Sequence, residues 1–191
     1  GGGKITAVNG LTSNMNMTLT GSNGNIKFSA AGQTIQLGGN LTGRGGLEVS
    51  AGTLLLKGAA NAYDGQTVVD TGATLTLDST AALTLSLSAL ETDGNRFAFD
   101  GDGYLTLNGT VNLDFTGATG TEWKLINTSL IATMNDNWLA GFTKDSGDDI
   151  WTKDGGYTFR LDTGILTIPE PSAWTLLLTG AALLAVLRRR R

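Results

Sequence analysis

The chain has 191 residues, of which 28 are glycine and 16% are charged, and it contains neither cysteine nor histidine. The lack of cysteine excludes disulfides and thiolate metal sites, and the lack of histidine removes the commonest general base and metal ligand. Residues 1–168 carry 9 Lys and Arg against 16 Asp and Glu, a net charge of −7. This acidic balance argues against a nucleic-acid partner, whose phosphates would be repelled.

Short β runs separated by Gly, Asn and Asp make up residues 1–79. Polar and apolar residues alternate in Met15–Leu19, in Asn25–Phe28 and in Gln33–Leu37, with glycines close by. Alternation with a period of two, interrupted by turn residues, predicts strands, and nothing here has the period of a helix.

A pattern of apolar residues recurs about every 20 residues. Ile35 and Leu54 are 19 residues apart, and Leu54 and Leu75 are 21 apart. Units this short cannot bury their own apolar face, so the period predicts the stacked coils of a β-solenoid. Stacking would place three pairs on one inward face: Ile35 and Leu37, Leu54 and Leu56, and Leu75 and Leu77. An antiparallel sandwich is an alternative that these spacings also permit.

The stretch from Asn40 to Leu77 resembles the autotransporter-associated β-strand repeat. That family repeats a glycine-rich turn, a Leu-x-Leu strand, a small-Asn-x-Tyr-x-Gly-x-Thr turn and another strand. The matching positions are Gly45, Gly52, Leu54, Leu56, Gly58, Asn61, Tyr63, Gly65, Thr67, Gly72, Leu75 and Leu77. The resemblance implies a right-handed parallel β-helix in a surface or secreted protein. We expect Asn61, Asp64 and Gly65 to form the turn and Tyr63 to pack over the edge of a coil.

The repeat weakens after Ser79. Ala82–Leu87 is one more alternating run, and three later runs around glycines predict a hairpin-like series: Phe97–Phe99, Tyr104–Leu107 and Val111–Phe115. Aromatic residues concentrate in residues 121–168. Because unpaired strand edges invite aggregation, a solenoid needs a covered end. We therefore interpret residues 80–168 as final coils followed by a β-sheet cap.

Two acidic stretches are candidate metal sites. Asp100-Gly101-Asp102-Gly103 resembles part of a calcium loop, but position 12 is Val111 instead of the required glutamate. We interpret it as a tight turn with solvated aspartates. The acidic loop containing Asp145, Asp148 and Asp149 is interpreted in the same way, so no metal or other cofactor is predicted.

An enzyme is the rival function, because parallel β-helices also host polysaccharide lyases and hydrolases. These need carboxylates that converge in one cleft, usually with a cation. The cations of residues 29–80 are Arg44 and Lys57, and no two acids recur at one coil period with a cation beside them. We therefore predict no catalytic residue. Trp123, Trp138 and Trp151 are candidates for stacking on sugars, but their positions favour the core of the cap.

The last 23 residues have three parts. Pro169, Glu170 and Pro171 precede an uncharged run, Ala173–Leu187. Four arginines follow: Arg188, Arg189, Arg190 and Arg191. A helix over about 172–187 would span about 22 Å, which is short for a hydrocarbon core of about 30 Å. The arginines should stay in the cytoplasm, which places the body on the far side of the inner membrane.

This order of parts resembles the PEP-CTERM sorting signal of Gram-negative bacteria. The resemblance implies recognition by exosortase, a membrane-embedded processing enzyme, and removal of the tail during export. Pro169, Glu170 and Pro171 would be the recognised motif, and the four arginines would hold the intermediate in the membrane. A plain membrane anchor and a buried terminal helix remain the alternatives.

Taken together, the sequence predicts an all-β chain in three parts. Residues 1–79 are solenoid coils, residues 80–168 are final coils and cap, and residues 169–191 are the sorting tail with one short transmembrane helix. We expect a non-enzymatic, structural or adhesin-like segment at the cell surface or in the medium, with extracellular polysaccharide as a candidate partner. The alternative is a carbohydrate-binding or carbohydrate-active β-helix whose active part lies upstream. The glycine at position 1 suggests the C-terminal piece of a longer precursor.

Overall fold

Strands dominate the structure, a computed structural model that describes residues 3–21, 25–94 and 96–168. One helix, α1 (Leu87–Thr92), lies in this part of the chain. The strands are β1 (Lys4–Thr6), β2 (Leu11–Ser13), β3 (Met17–Leu19), β4 (Ile26–Leu37), β5 (Leu41–Gly43), β6 (Leu47–Leu56), β7 (Asn61–Tyr63), β8 (Thr67–Val69), β9 (Thr74–Leu77), β10 (Ala82–Ser86), β11 (Phe99–Gly101), β12 (Tyr104–Leu107), β13 (Thr110–Asp114), β14 (Glu122–Lys124), β15 (Ile131–Met134), β16 (Thr143–Lys144), β17 (Ile150–Lys153), β18 (Tyr157–Arg160) and β19 (Ile165–Thr167).

Two parallel sheets hold most of the strands. Sheet one follows the order β1-β4-β6-β9-β12-β15, with β2 beside β4, and β8 between β6 and β11. Sheet two follows the order β3-β5-β7-β10-β13. The chain passes from one sheet to the other and returns to pair with its own earlier strand, always in parallel. The antiparallel sandwich is therefore wrong for these strands.

The predicted inward columns are confirmed residue by residue. Ile35 pairs with Leu54, and Leu54 with Leu75, as expected from their spacing. Leu37, Leu56 and Leu77 form the second column in the same way. Both columns continue to β12, through Leu105 and Leu107, and all eight side chains are buried. Period-2 alternation explains why: every second side chain of a strand points to the same face.

Asn61 and Tyr63 lie inside the fold, which corrects the expectation that they form a turn and cover an edge. Asn61 begins β7 and is only 1% exposed. Its oxygen accepts from the Leu41 N–H at 2.9 Å, and its nitrogen donates to the carbonyls of Gly58 at 2.7 Å and Ala82 at 3.0 Å. The amide thus links three neighbouring strands of sheet two. These hydrogen bonds offset the free-energy cost of burying a polar side chain.

Tyr63 is buried two residues further along β7, and burial raises the pKa of its hydroxyl to about 12. That hydroxyl lies 2.8 Å from Oγ1 of Thr67, the other buried polar side chain among the described residues. Asp64 and Gly65 lie in the turn between β7 and β8, as predicted.

The hairpin-like series predicted after Ser79 is wrong. β11, β12 and β13 pair in parallel with β8, β9 and β10, which come about 30 residues earlier, and not with one another. Alternation identifies a strand but does not reveal its partner. The interval between paired strands grows here from about 20 to about 30 residues, so the period of the earlier strands no longer predicts the pairing.

Helix α1 was also missed, because Leu87 was assigned to the end of an alternating run. Strand β10 stops at Ser86, whose side chain caps the helix by accepting from the Ala89 N–H at 3.4 Å. Gly94, with a φ of 80°, follows the helix at its other end. A serine cap and a closing glycine are helix boundary signals that the sequence does contain. The described part of the chain is therefore mostly strand but contains one short helix.

The inward columns carry the first testable prediction. Leu75→Asp should lower the free energy of unfolding by about 3–5 kcal/mol, because it leaves an unpaired charge in the core. Thr76→Asp is the matched control, since Thr76 is the next residue of the same strand and points outward, half-buried. Thermal unfolding followed by circular dichroism would measure both. Equal losses for the two variants would contradict the assigned faces.

Candidate functional site: the sorting tail and the sheet that leads to it

Sheet three is antiparallel and contains the last strand before the tail. Its order is β14-β19-β18-β17-β16, so β19 lies between two neighbours and pairs with both. Ile168 follows β19 and donates its N–H to the Thr121 carbonyl at 2.8 Å. The backbone is therefore held by hydrogen bonds up to the last described residue.

The turn into β19 requires a glycine at position 164. Gly164 has a φ of 68°, a left-handed conformation that side chains disfavour. A Cβ at this position would also collide with the Ile126 carbonyl oxygen. The Gly164 carbonyl accepts from the N–H groups of Leu125 and Ile126 at 2.8 and 3.1 Å. This close approach joins the start of β19 to the chain that follows β14.

An aromatic cluster supports sheet three. Trp138, Trp151 and Phe159 are each fully buried, with ring centroids 5.3–6.0 Å apart. The Trp151 indole N–H donates to the Asp136 carbonyl at 2.8 Å. Trp123 is buried as well. The interpretation of all three tryptophans as core is confirmed, and their faces are not available for stacking on sugars.

Glu91 fastens helix α1 to sheet three. Its carboxylate accepts from the backbone N–H groups of Thr119 at 3.0 Å and Gly120 at 2.8 Å, and from the Trp123 indole at 2.9 Å. These donors, the Gly120 N–H foremost, lower the pKa of Glu91. The sequence near Glu91 gives no sign of this contact, because the donors lie 28, 29 and 32 residues further along the chain.

The residues predicted to be the sorting signal lie outside the described residues. They are Pro169, Glu170, Pro171, Arg188, Arg189, Arg190 and Arg191. The predicted helix over about 172–187 also lies there. Within residues 3–21, 25–94 and 96–168, no helix is long and apolar enough to cross a membrane.

Sheet one does bring two acids together beside a cation, which corrects the sequence-based expectation. Lys27 pairs with Glu48 on the neighbouring strand, in register and through an ion pair. Asp70 comes one residue after β8 and two residues after Val68, which pairs with Glu48. Burial, with the Glu48 carboxylate second, raises the pKa of Asp70. Spacing along the sequence does not reveal this group, because Lys27 precedes residues 29–80 and Asp70 is offset diagonally from Glu48.

The aspartates of the calcium-like stretch serve the fold. Asp100 lies in β11 and is half-buried instead of solvated. It accepts from the side chains of Gln66 and Asn127, while Asp102 accepts from the Thr71 hydroxyl at 2.6 Å. In the acidic loop, Lys144 lies between Asp149 at 3.2 Å and Asp136 at 3.3 Å. Among the described residues, no group of three carboxylates could hold a metal ion.

No protein-family model, curated protein or solved structure matches the chain.

Asp70 gives a prediction with a defined pH dependence. A carboxyl group whose pKa is raised by folding destabilises the folded state above its unfolded pKa, and this penalty disappears as the pH falls. Asp70→Asn should therefore raise the melting temperature at pH 7, and the gain should shrink towards pH 4. Asp64→Asn, which removes the same charge at an exposed position, is the control. Identical pH profiles of melting temperature for the two variants would contradict the coupling of Asp70 to Glu48.

Glu91 predicts the opposite pH dependence. Folding lowers its pKa, so its contribution to stability is present above the unfolded value of 4.5 and is lost as the pH falls. Glu91→Gln should lower the melting temperature at pH 7 and have a smaller effect near pH 3. Glu122→Gln, at an exposed position of β14, should have little effect at either pH. A loss of melting temperature for Glu91→Gln that does not change with pH would show that the charge of the Glu91 carboxylate does not stabilise the fold.

Proposed function

We propose that this chain is a structural, non-enzymatic segment of an exported bacterial surface protein, delivered by an exosortase-type sorting system. The observation that carries the proposal is the order of parts in the tail. Pro169, Glu170 and Pro171 directly follow the strand-bearing body, and the uncharged run Ala173–Leu187 separates them from the arginines. Both prolines restrict the backbone and lack a donor, so this strip is suited to binding as an extended segment.

The fold that best suits this role is a right-handed parallel β-helix closed by sheet three. Parallel pairing at intervals of 19, 21 and about 30 residues supports it, because each return of the chain adds a layer. Parallel crossover connections are almost always right-handed, which agrees with the resemblance to the autotransporter-associated repeat. Residues 1–79 would form the coils, and residues 80–168 the final coils and cap.

A stack of this kind acts as a spacer or adhesin-like stalk. A spacer needs no binding cleft on its outward faces. The length of the stack grows by one strand spacing, about 4.8 Å, with each layer. The buried tryptophans give a carbohydrate-binding role no support from the described residues. The proposed partners are therefore the processing enzyme and, during export, the inner membrane around residues 172–187.

The short tail favours a processing signal over a lasting anchor. Its uncharged run has 15 residues, whereas a spanning helix needs about 20. Thr175, Thr179 and Gly180 reduce its apolar content further. A segment that pauses in the inner membrane tolerates this mismatch better than a permanent anchor does.

Replacing Pro169, Glu170 and Pro171 with alanine tests the proposal in a host that carries an exosortase-type enzyme. The full-length variant should accumulate in the inner membrane. The wild type should lose its arginines and reach the surface or the medium. Cell fractionation and intact-mass spectrometry would measure both outcomes.

The matched control is a triple alanine variant of the loop residues Asp145, Asp148 and Asp149, which should be processed like the wild type. If Arg191 remains on the mature wild-type protein, the tail is an ordinary anchor and the proposed sorting is wrong.

A further inference from the structure

Six glycines in residues 60–168 directly follow an aspartate or an asparagine. Such a pair is chemically weak, because glycine has no side chain to shield its nitrogen from the carbonyl carbon of the side chain before it. The pairs are Asp64-Gly65, Asp93-Gly94, Asp100-Gly101, Asp102-Gly103, Asn108-Gly109 and Asp154-Gly155. The similar pair Asn9-Gly10 lies in the first layer, where any preceding layer would decide whether the Gly10 N–H is paired, so it gives no comparable information.

Four of these glycines donate their N–H groups to a backbone carbonyl. The donors and acceptors are Gly65 and Gly45 at 3.2 Å, Gly94 and Glu91 at 3.2 Å, Gly103 and Val69 at 3.0 Å, and Gly109 and Leu77 at 3.1 Å. To attack, the nitrogen must lose its proton and turn towards the preceding side chain. A hydrogen bond to a carbonyl opposes both changes, because it must first be broken. Gly103 and Gly109 are also buried.

The pair Asp100-Gly101 is protected at its carboxylate. That group accepts from the side chains of Gln66 at 2.9 Å and Asn127 at 2.5 Å, and from the Gly101 N–H at 2.9 Å. The carboxyl group must rotate before its carbon faces the glycine nitrogen. Three hydrogen bonds, two of them to other parts of the fold, oppose that rotation.

The pair Asp154-Gly155 has neither kind of protection. Both residues are exposed in the turn between β17 and β18. Among the described residues, nothing accepts a hydrogen bond from the Gly155 N–H and nothing donates one to the Asp154 carboxylate. Gly155 has a φ of 91°, which disfavours any residue with a side chain. The turn itself therefore requires the weak pair.

We propose that Asp154 is a site of self-modification, at which the folded chain converts aspartate to isoaspartate. The Gly155 nitrogen attacks the carboxyl carbon of Asp154 and forms a C–N bond. The side-chain hydroxyl leaves as water, together with the proton of that nitrogen, and a five-membered ring closes. Water then opens the ring. Attack at the backbone carbonyl of Asp154 breaks its bond to nitrogen and leaves the chain running through the side chain, whereas attack at the other carbonyl restores aspartate.

The modification changes the end of the β17–β18 hairpin. Isoaspartate adds one atom to the backbone of a turn whose flanking residues, Lys153 and Tyr157, pair across it. The Lys153 ammonium lies 5.8–5.9 Å from the ring centroids of Phe115, Phe142 and Tyr157. Because the turn decides where Lys153 and Tyr157 lie, conversion should loosen this cation–π cluster at the surface of sheet three.

Ageing the full-length chain in detergent at neutral pH, below its melting temperature, tests the proposal. Peptide mapping by mass spectrometry with fragmentation would measure isoaspartate at each of the six pairs. For each pair, the rate in guanidinium chloride divided by the rate in the folded chain gives its protection. Protection should be close to one at Asp154 and at least about five-fold at the other pairs, the factor that one hydrogen bond of typical net strength supplies.

The variants Asp154→Asn and Asp64→Asn are a matched pair, because both positions are exposed and asparagine closes the same ring with loss of ammonia. In the folded chain Asp154→Asn should convert at least about five-fold faster than Asp64→Asn, and in guanidinium chloride the two rates should be similar. Asp154→Glu, whose longer side chain would need a larger ring, should abolish conversion and leave the circular dichroism spectrum unchanged.

Equal protection at Asp64 and Asp154 would overturn the proposal, and so would the absence of isoaspartate at Asp154 in the aged, folded chain. Neither outcome depends on the proposed sorting, because the reaction needs no processing enzyme and no other protein.

Discussion

The structure depends on burial between layers, because no single layer of the two parallel sheets can bury its own apolar residues. Leu54 is shielded by Ile35 on one side and Leu75 on the other, and each of these depends on the next layer. In the proposed β-helix, stability would come mainly from the interfaces between neighbouring layers. Asn61 also depends on both neighbouring strands of sheet two, because its side chain forms hydrogen bonds with Leu41 on one strand and Ala82 on the other. A strand in the interior of either parallel sheet is therefore completed by the strands on both of its sides.

Strand pairing changes after β13. Of the strands that follow, all except β15 belong to the antiparallel sheet three, in which Trp151 and Phe159 pack against the buried Trp138. Antiparallel strands tolerate one solvated face, so they suit a terminal element. Glu91 joins helix α1 to this sheet through a single carboxylate with several donors. Sheet three is thus held in place by packing and by charge-assisted hydrogen bonds.

The sequence predicted the inward columns, because leucines that alternate with polar residues leave one face to bury. It did not predict the strand partners after Ser79, where α1 lengthens the interval between equivalent strands from about 20 to 30 residues. The proximity of Glu48 and Asp70 was also missed, since it depends on a diagonal offset between strands that no spacing reveals. Buried Asn61 was assigned to a turn because asparagine is common in turns. The hydrogen bonds of the Asn61 side chain depend on the fold, which brings the strands of Leu41 and Ala82 to either side of it.

The position of β19 decides how the tail is connected to the body. An edge strand would peel away one hydrogen bond at a time, but β19 is paired on both sides, with β14 and β18. The buried side chain of Leu166 adds packing to these two ladders. Under the proposed sorting, cleavage beyond Ile168 removes none of the strands that the structure describes.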